Sequence, residues 1–243
     1  MAQARYYKAQ GYEIIEYTNK PFHYTEHNHV SVFTLGLVLD GLVTLKIDNT
    51  SIDYLHDSFF IIPPLKTHEL ILPETYTLLT ICFDYDFAVT HTSSQIRCML
   101  NRSSKRLAQA NGSLLQEALD ALCEVVTAAE APTALSGSAK TLHMSPEAPL
   151  SIGKIAKADH LSKFHFIRKF KRFSGLTPHR FVLQSRVRKA QQLIENGMLL
   201  ADVALTAGFF DQSHFTKCFK KAVGLTPLEY KQACRTVISK ERE

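Results

Sequence analysis

FIRKFKRFSGLTPHRF, residues 166–181, and FTKCFKKAVGLTPLEY, residues 215–230, match position for position at an offset of 49 residues. Phe170 pairs with Phe219, Gly175 with Gly224, Thr177-Pro178 with Thr226-Pro227, and Phe181 with Tyr230. Upstream, Ser162 falls on Asp211, and both are good N-cap residues for the helix that follows. One residue earlier in register, Ile155-Ala156 resembles Val203-Ala204, so each copy consists of a short helix, a turn and a second helix. Gly208 supplies the left-handed backbone that such a turn commonly needs. Its counterpart in the first copy is Asp159, which tolerates that conformation less well. Each second helix ends near Gly175 or Gly224, and Thr-Pro restarts a helix with threonine as N-cap and proline at the first position. The helix from Pro178 to Glu195, closed by Asn196-Gly197, joins the two copies as a spacer.

At about 100° per residue, the second helix of each copy shows two faces. Phe166, Phe170 and Phe173 fall on one side, as do Phe215, Phe219 and Val223, and these are expected to be core. The opposite face carries Phe164, Arg168, Lys171 and Arg172 in the first copy and Ser213, Lys217, Lys220 and Lys221 in the second. His165 and Ile167, and likewise Gln212, His214 and Thr216, lie on the flanks. Such a helix fits a DNA major groove, where Arg and Lys pair with guanine edges, Ser, Gln and His form hydrogen bonds, and apolar groups meet thymine methyls. A merely solvated charged face would have to explain why two related helices share the same polarity.

The charge balance agrees. The chain of 243 residues has a formal net charge of +5. Residues 1–149 hold 10 Lys/Arg against 16 Asp/Glu, a net −6, whereas residues 150–243 hold 18 against 7, a net +11. A small domain this basic concentrates polyanions, because neutralising phosphates releases condensed counterions. Binding to an anionic membrane surface is disfavoured, since the basic helices lack bulky apolar insertion. No apolar run approaches the roughly 20 residues a bilayer needs, and MAQARYYKAQ lacks the layout of a signal peptide, so a cytosolic protein is expected. Cys82, Cys98, Cys123, Cys218 and Cys234 form an odd, scattered set, which suggests neither a disulfide framework nor a thiolate zinc site.

From Tyr12 to about Asp86 the chain shows short β-rich runs: FTLGLVLD, LVTLKID, SIDYL, FFIIPP, THELIL and YTLLTICFD. Turn signals at Asp40-Gly41, Asp48-Asn49, His56-Asp57 and Pro63-Pro64 separate them, predicting antiparallel hairpins in a barrel or sandwich. After Asn111-Gly112, Leu114, Leu115, Ala118, Leu119, Leu122, Val125 and Val126 form a helical apolar stripe. That stripe covers either the barrel's own flank or a second copy of itself in a homodimer. Residues 131–149 are rich in Ala, Ser and Pro without periodicity and read as a linker between a domain at 1–130 and one at 150–238.

The segment ALTAGFFDQSHFTKCFKKAVGLTPLEY, residues 204–230, resembles the signature of the AraC/XylS family of bacterial transcription regulators, and the resemblance covers about residues 145–238. It implies an α+β protein with an N-terminal cupin-like β-barrel and flanking helices, and an all-α C-terminal domain with two helix-turn-helix motifs. It implies a sequence-specific DNA-binding regulator, not an enzyme, that is controlled by a small-molecule effector, acts as an activator and engages RNA polymerase. One monomer would read a long asymmetric site with two helices about one turn of DNA apart. By position the readers would be Phe164, His165, Ile167 and Arg168 in the first helix and Gln212, Ser213, His214 and Lys217 in the second. Phe164 and Ile167 stand where the family is often polar, which shifts the first helix towards methyl contacts.

The N-terminal half is more loosely similar to the family's cupin-like sensory domain. SFFIIPPLKTHEL, residues 58–70, resembles the segment of such domains where a barrel strand ends in a proline turn before a pocket-facing histidine. His27, His29 and His68 occupy the three histidine places of the general cupin metal pattern, but Thr34 replaces its glutamate and Leu65 its turn glycine. Three imidazoles could hold a divalent metal, giving a metal-responsive regulator or a cupin metalloenzyme fused to a DNA-binding module. The alternative is a polar-rimmed pocket for an organic effector, with His23, His27, His29 and His68 as hydrogen-bonding groups.

Overall fold

The computed structural model describes residues 5–19, 21–48, 50–103, 112–129 and 137–238. The chain divides into two compact units that part at residues 132–133, except that Tyr24–Asn28 groups with the second.

Eight strands form the N-terminal sheet: β1 (Arg5–Ala9), β2 (Tyr12–Thr18), β3 (Phe22–His27), β4 (Val32–Ile47), β5 (Thr50–Leu55), β6 (Ser58–Ile62), β7 (His68–Leu72) and β8 (Tyr76–Asp84). They form one sheet in the order β1-β2-β8-β4-β7-β3, with β5 and β6 also on β4, curved into a half-barrel. The strands β1, β2 and β3 add to the six runs expected from the sequence; Glu13, Glu16, His23 and Glu26 interrupt their apolar period.

Asp40-Gly41 is not the hairpin turn that the sequence predicts. The chain runs through it as a single 16-residue strand, with a bulge between Val38 and Asp40. Gly41 has φ +76°, and a Cβ there would lie 2.3 Å from the Thr75 carbonyl oxygen, so the position requires glycine for both conformation and space. The bulge lets β4 pair β6 and β8 with its first half and β5 and β7 with its second. The turn at Asp48 is a hairpin as expected, with Ile47 opposite Thr50, whereas the turn at Asp57 joins β5 and β6, which pair with β4 and not with each other; both aspartates are left-handed, at φ +51° and +58°. Asn49 lies outside the described residues. Leu65, in the place of a turn glycine, does take a left-handed conformation, φ +63°.

Helices α1 (Tyr85–Thr90), α2 (Ser93–Ser103) and α3 (Gly112–Ala128) follow. The stripe of α3 resolves the choice left open above. Leu114, Leu115, Ala118, Leu119 and Leu122 are buried with Ile96 and Leu100 of α2 against Phe33, Leu35, Leu37, Leu79, Ile81 and Phe83 of the sheet. The helix therefore covers its own half-barrel. On the other face of β4, the ring of Phe60 lies over the bare backbone of Gly36, where a Cβ would come within 2.1 Å of it.

The second unit is helical: α4 (Gly137–Met144), α5 (Ile152–Ala158), α6 (Lys163–Ser174), α7 (Pro178–Glu195), α8 (Leu200–Thr206), α9 (Gln212–Val223) and α10 (Pro227–Ile238). Residues 131–136 of the expected linker lie outside the described residues. The remainder is structured: α4 runs beside α7, and Ser145–Ala148 is held by α7. Arg186 Nε donates to the Pro146 carbonyl at 2.7 Å, and Lys189 Nζ meets the Glu147 carboxylate at 2.6 Å. The absence of helical period across a Pro-rich stretch hid this, because the order comes from two cations on another helix. Gly208 sits against the same turn, with φ +88° and a virtual Cβ 2.5 Å from Glu147 Cα.

The duplicated sequence yields duplicated packing. Phe170 meets Phe181 edge-on at 5.3 Å, and Phe219 meets Tyr230 in the same way at 5.4 Å. One expected core residue is misplaced: Phe173 is 38% exposed, and the place of Val223 is taken by Ser174, which is fully buried. Ser174 adapts by donating its hydroxyl to the Phe170 carbonyl at 2.9 Å. The first turn also differs, because its left-handed residue is His160, φ +56°, rather than Asp159.

On α4, His143 lies edge-on to Phe181 at 6.4 Å, and its Nδ1 is buried with no hydrogen-bond partner among the described residues. Burial depresses its pKa below the ordinary imidazole value. The unfolded chain therefore binds the proton first, so the contribution is intact above the ordinary value of about 6.5 and is lost as pH falls through it towards the lowered one. Urea unfolding at pH 7.5 and 5.5 should show a smaller pH loss for His143→Leu than for the wild-type chain; equal losses would refute the assignment.

Candidate nucleic-acid interface

Helices α6 and α9 are cut to the same length by the same devices. Each has twelve residues. The hydroxyl oxygen of Ser162 accepts from the His165 N–H at 3.3 Å, and the carboxylate of Asp211 accepts from the His214 N–H at 2.7 Å. At the other ends Gly175 and Gly224 are left-handed, at φ +74° and +79°, and donate to the Lys171 and Lys220 carbonyls. Phe166 and Phe170, and Phe215 and Phe219, face inward.

What faces outward is the predicted set. Phe164, His165, Arg168, Lys171 and Arg172 are exposed and Ile167 is half-buried on α6. Gln212, Ser213, His214, Lys217, Lys220 and Lys221 are all exposed on α9. Among the described residues none of the six Arg and Lys side chains is in an ion pair, although Lys189 in the same unit is paired with Glu147. No acidic residue lies in the first turn of either helix. Cations without internal partners keep their charge available for an external polyanion. On α6, His165, Arg168, Lys169, Arg172 and Phe173 border one open cleft.

The turns preceding the two helices are not equivalent. Leu161 N–H bonds the Ala156 carbonyl at 2.8 Å, and Phe209 N–H bonds the Ala204 carbonyl at 2.9 Å, so Leu161 and Phe209 correspond. The next residue in the first unit is the cap Ser162; in the second, Phe210 intervenes before the cap Asp211. Phe210 is 89% exposed, and the sequence reading did not single it out. Its signal was present: upstream of the caps the repeat is offset by 48 residues, and from the caps onward by 49.

The four histidines divide. Ligand nitrogens of His27, His29 and His68 all lie within 4.8 Å of one another, and the His29 and His68 rings are 5.5 Å apart. Nδ1 of His27 is 2.9 Å from the Thr25 carbonyl, and Nδ1 of His68 is 2.9 Å from the Lys66 carbonyl. His23 is not in this group; it is exposed beside Glu69, with Nε2 3.1 Å from Oε2. Thr34, in the glutamate place, is buried with its hydroxyl 3.8 Å from Cys82 Sγ.

The helix-turn-helix domain family matches residues 155–233, which holds both units just described. The probable transcription factor PqrA of Proteus vulgaris is 37% identical over 84 residues, 34% of this chain and 69% of PqrA. The chain belongs to the AraC/XylS family of transcription regulators.

The MmsAB operon regulatory protein of Pseudomonas aeruginosa is 34% identical over 89 residues, 36% of this chain and 29% of that protein. The chain thus matches about a third of the length of such longer family members. Over both units it shares the fold of ToxT from Vibrio cholerae O395, with a TM-score of 0.62 at 12% identity, covering 93% of this chain and 99% of ToxT. A second ToxT structure, of similarity 0.61 on the same scale, has an unsaturated fatty acid bound. No helix among the described residues is long and apolar enough to cross a membrane.

Asp211→Ala removes the acceptor for the His214 N–H and should cost the helical unit about 1 kcal/mol. Chemical denaturation measures this, and a change within error would show that the cap is not stabilising.

Proposed function

We propose that this regulator reads double-stranded DNA with α6 and α9 in successive major grooves, the N-terminal residues Phe164, His165, Ile167 and Arg168, and Gln212, Ser213, His214 and Lys217, meeting base edges. Lys171, Arg172, Lys220 and Lys221 stand in the last turns. There they favour the helix dipole and lie farther from the groove floor, which suits contact with phosphates. The observation that carries this reading is the pair of equal helices whose exposed faces hold unpaired cations and hydrogen-bonding groups.

Arg168→Ala and Lys217→Ala should each lose about 1–3 kcal/mol on the selected site while barely changing affinity for random duplex. Lys171→Ala or Lys221→Ala should weaken both equally and flatten the salt dependence. Titrating full-length protein into selected and random duplexes at two salt concentrations tests this; equal losses for Arg168→Ala and Lys217→Ala on both duplexes would overturn the base-reading assignment.

The half-barrel is the sensory part, taking a small effector that shifts the DNA-binding behaviour of the helical unit in a cytoplasmic regulator working with RNA polymerase. The fold shared with ToxT supports this reading, and His27, His29 and His68 supply polar groups for such a ligand. A homodimer would use a surface other than the stripe of α3, which its own core consumes.

A second reading is favoured by the histidine geometry: a divalent transition metal as the effector. Nδ1–H bonded to a carbonyl sets the tautomer whose Nε2 carries the lone pair, the usual arrangement of a ligating imidazole. Tetrahedral ligands at 2.0–2.1 Å from zinc stand roughly 3.3 Å apart, so the 4.8 Å spread would contract on binding. Calorimetric titration with Zn²⁺ and Ni²⁺ should show one site that His68→Ala abolishes and His23→Ala leaves intact; no saturable binding would eliminate the metal reading.

A further inference from the structure

The inserted residue in the second turn points to a base contact that its unit alone possesses. Left-handed Gly208 turns the chain so that Phe209 enters the core, 5.1 Å from Phe215 and edge-on to His214 at 5.7 Å. The cap Asp211 is extended, at φ −151° and ψ +168°, and Phe210 between them is directed outward. A spacer in such a turn needs only to be tolerated by water. Phe210 leaves a large apolar ring in solvent, 89% exposed, more than Leu199, Leu205 or Leu228 of the same unit at 67%, 70% and 56%.

We propose that Phe210 is a specificity-determining residue that packs against the 5-methyl group of a thymine in the major groove, next to the bases met by Gln212, Ser213 and His214. The inference rests on the DNA-reading role of α9. Phe210 lies two residues before the start of α9, at the helix end that leads into the groove in helix-turn-helix proteins. It leads into the helix whose exposed side carries Lys217, Lys220 and Lys221, and the positive charge of that helix favours a polyanion over an apolar protein partner. Within the major groove the thymine methyl is the apolar feature that a phenyl ring can cover.

The first unit arrives at similar chemistry differently. Phe164, 75% exposed, is the second residue of α6, in the place of Ser213. Each unit thus presents one exposed phenylalanine near the N-terminus of its groove-facing helix, but before the cap in one and after it in the other. The two half-sites are then required to carry their thymines at different positions, so the complete site is asymmetric in its methyl groups.

The test uses the full chain and the duplex it selects from a random pool. Each thymine is replaced in turn by deoxyuridine, which keeps every hydrogen-bonding group and removes only the methyl. In the wild type, one replacement beside the segment read by α9 should weaken binding roughly fourfold, the effect of about one buried methyl group. Phe210→Ala should bind the thymine and uracil duplexes alike, with random-duplex affinity unchanged and an unaltered circular dichroism spectrum; Phe210→Leu should retain part of the preference. An unchanged uracil profile in Phe210→Ala overturns the proposal. So does equal weakening on every duplex, which marks a backbone contact, or intact DNA binding with a loss only of transcription by RNA polymerase, which marks a protein-docking role. A wild-type chain that selects no sequence at all would instead refute the DNA-reading role on which the inference rests.

Discussion

The edge-on contact between a phenylalanine of α6 or α9 and an aromatic ring in the helix that follows is the constraint on which the helical unit depends. Phe170 on Phe181 and Phe219 on Tyr230 each tie a short amphipathic helix to the next one. Twelve residues are too few to be stably helical in water without tertiary packing. The rings fix the rotation of each helix, and that rotation decides which side chains stand outward. Phe215, Phe219 and Tyr230 are each 1% exposed or less, so loss of one leaves a cavity that the neighbouring rings fill only in part. The hydroxyl of Tyr230 further reaches the Glu195 carboxylate at 2.6 Å, at the end of the spacer helix α7. The aromatic core of the second unit is thereby fastened to the element that connects the two.

Glycine plays a comparable part where the backbone must approach another backbone. At Gly41 it turns what reads as a hairpin into a bulge, and one long strand then serves both halves of the half-barrel. At Gly208 it permits the second turn to rest on Glu147, whose carboxylate is in turn held by Lys189. Both sites combine positive φ with a close approach, so any side chain there is strained twice over.

The exposed cationic face of each helix was legible in the sequence because a 3.6-residue period and a repeat constrain each other: a residue that fits the core in one copy is checked by its partner in the other. Errors fell where that check was missing. Phe173 looked apolar and therefore buried, but its partner Ala222 carried no information, while Ser174, polar and buried, satisfies itself through the Phe170 carbonyl. Asp159 was aligned with Gly208 by an offset that holds only downstream of the caps. The structured segment around Glu147 left no local period, since its order is imposed by Arg186 and Lys189 from 38 to 42 residues away. The grouping of His27, His29 and His68 was recoverable from motif spacing, whereas the outward position of His23 depended on its pairing with Glu69 across the sheet.

The two units differ most where they would touch bases and least where they fold. Core positions of α6 and α9 repeat as Phe and Phe, and both helices close on a left-handed glycine. Their outward positions pair Phe164 with Ser213, His165 with His214 and Arg168 with Lys217. A bidentate guanidinium and a point-charge ammonium do not read a guanine in the same way. On the proposed base-reading role, two helices of equal length that carry unequal faces would not favour a palindrome, and a monomer of this kind would distinguish the two directions along a duplex. That directionality would come from side-chain chemistry, without any contribution from dimer symmetry.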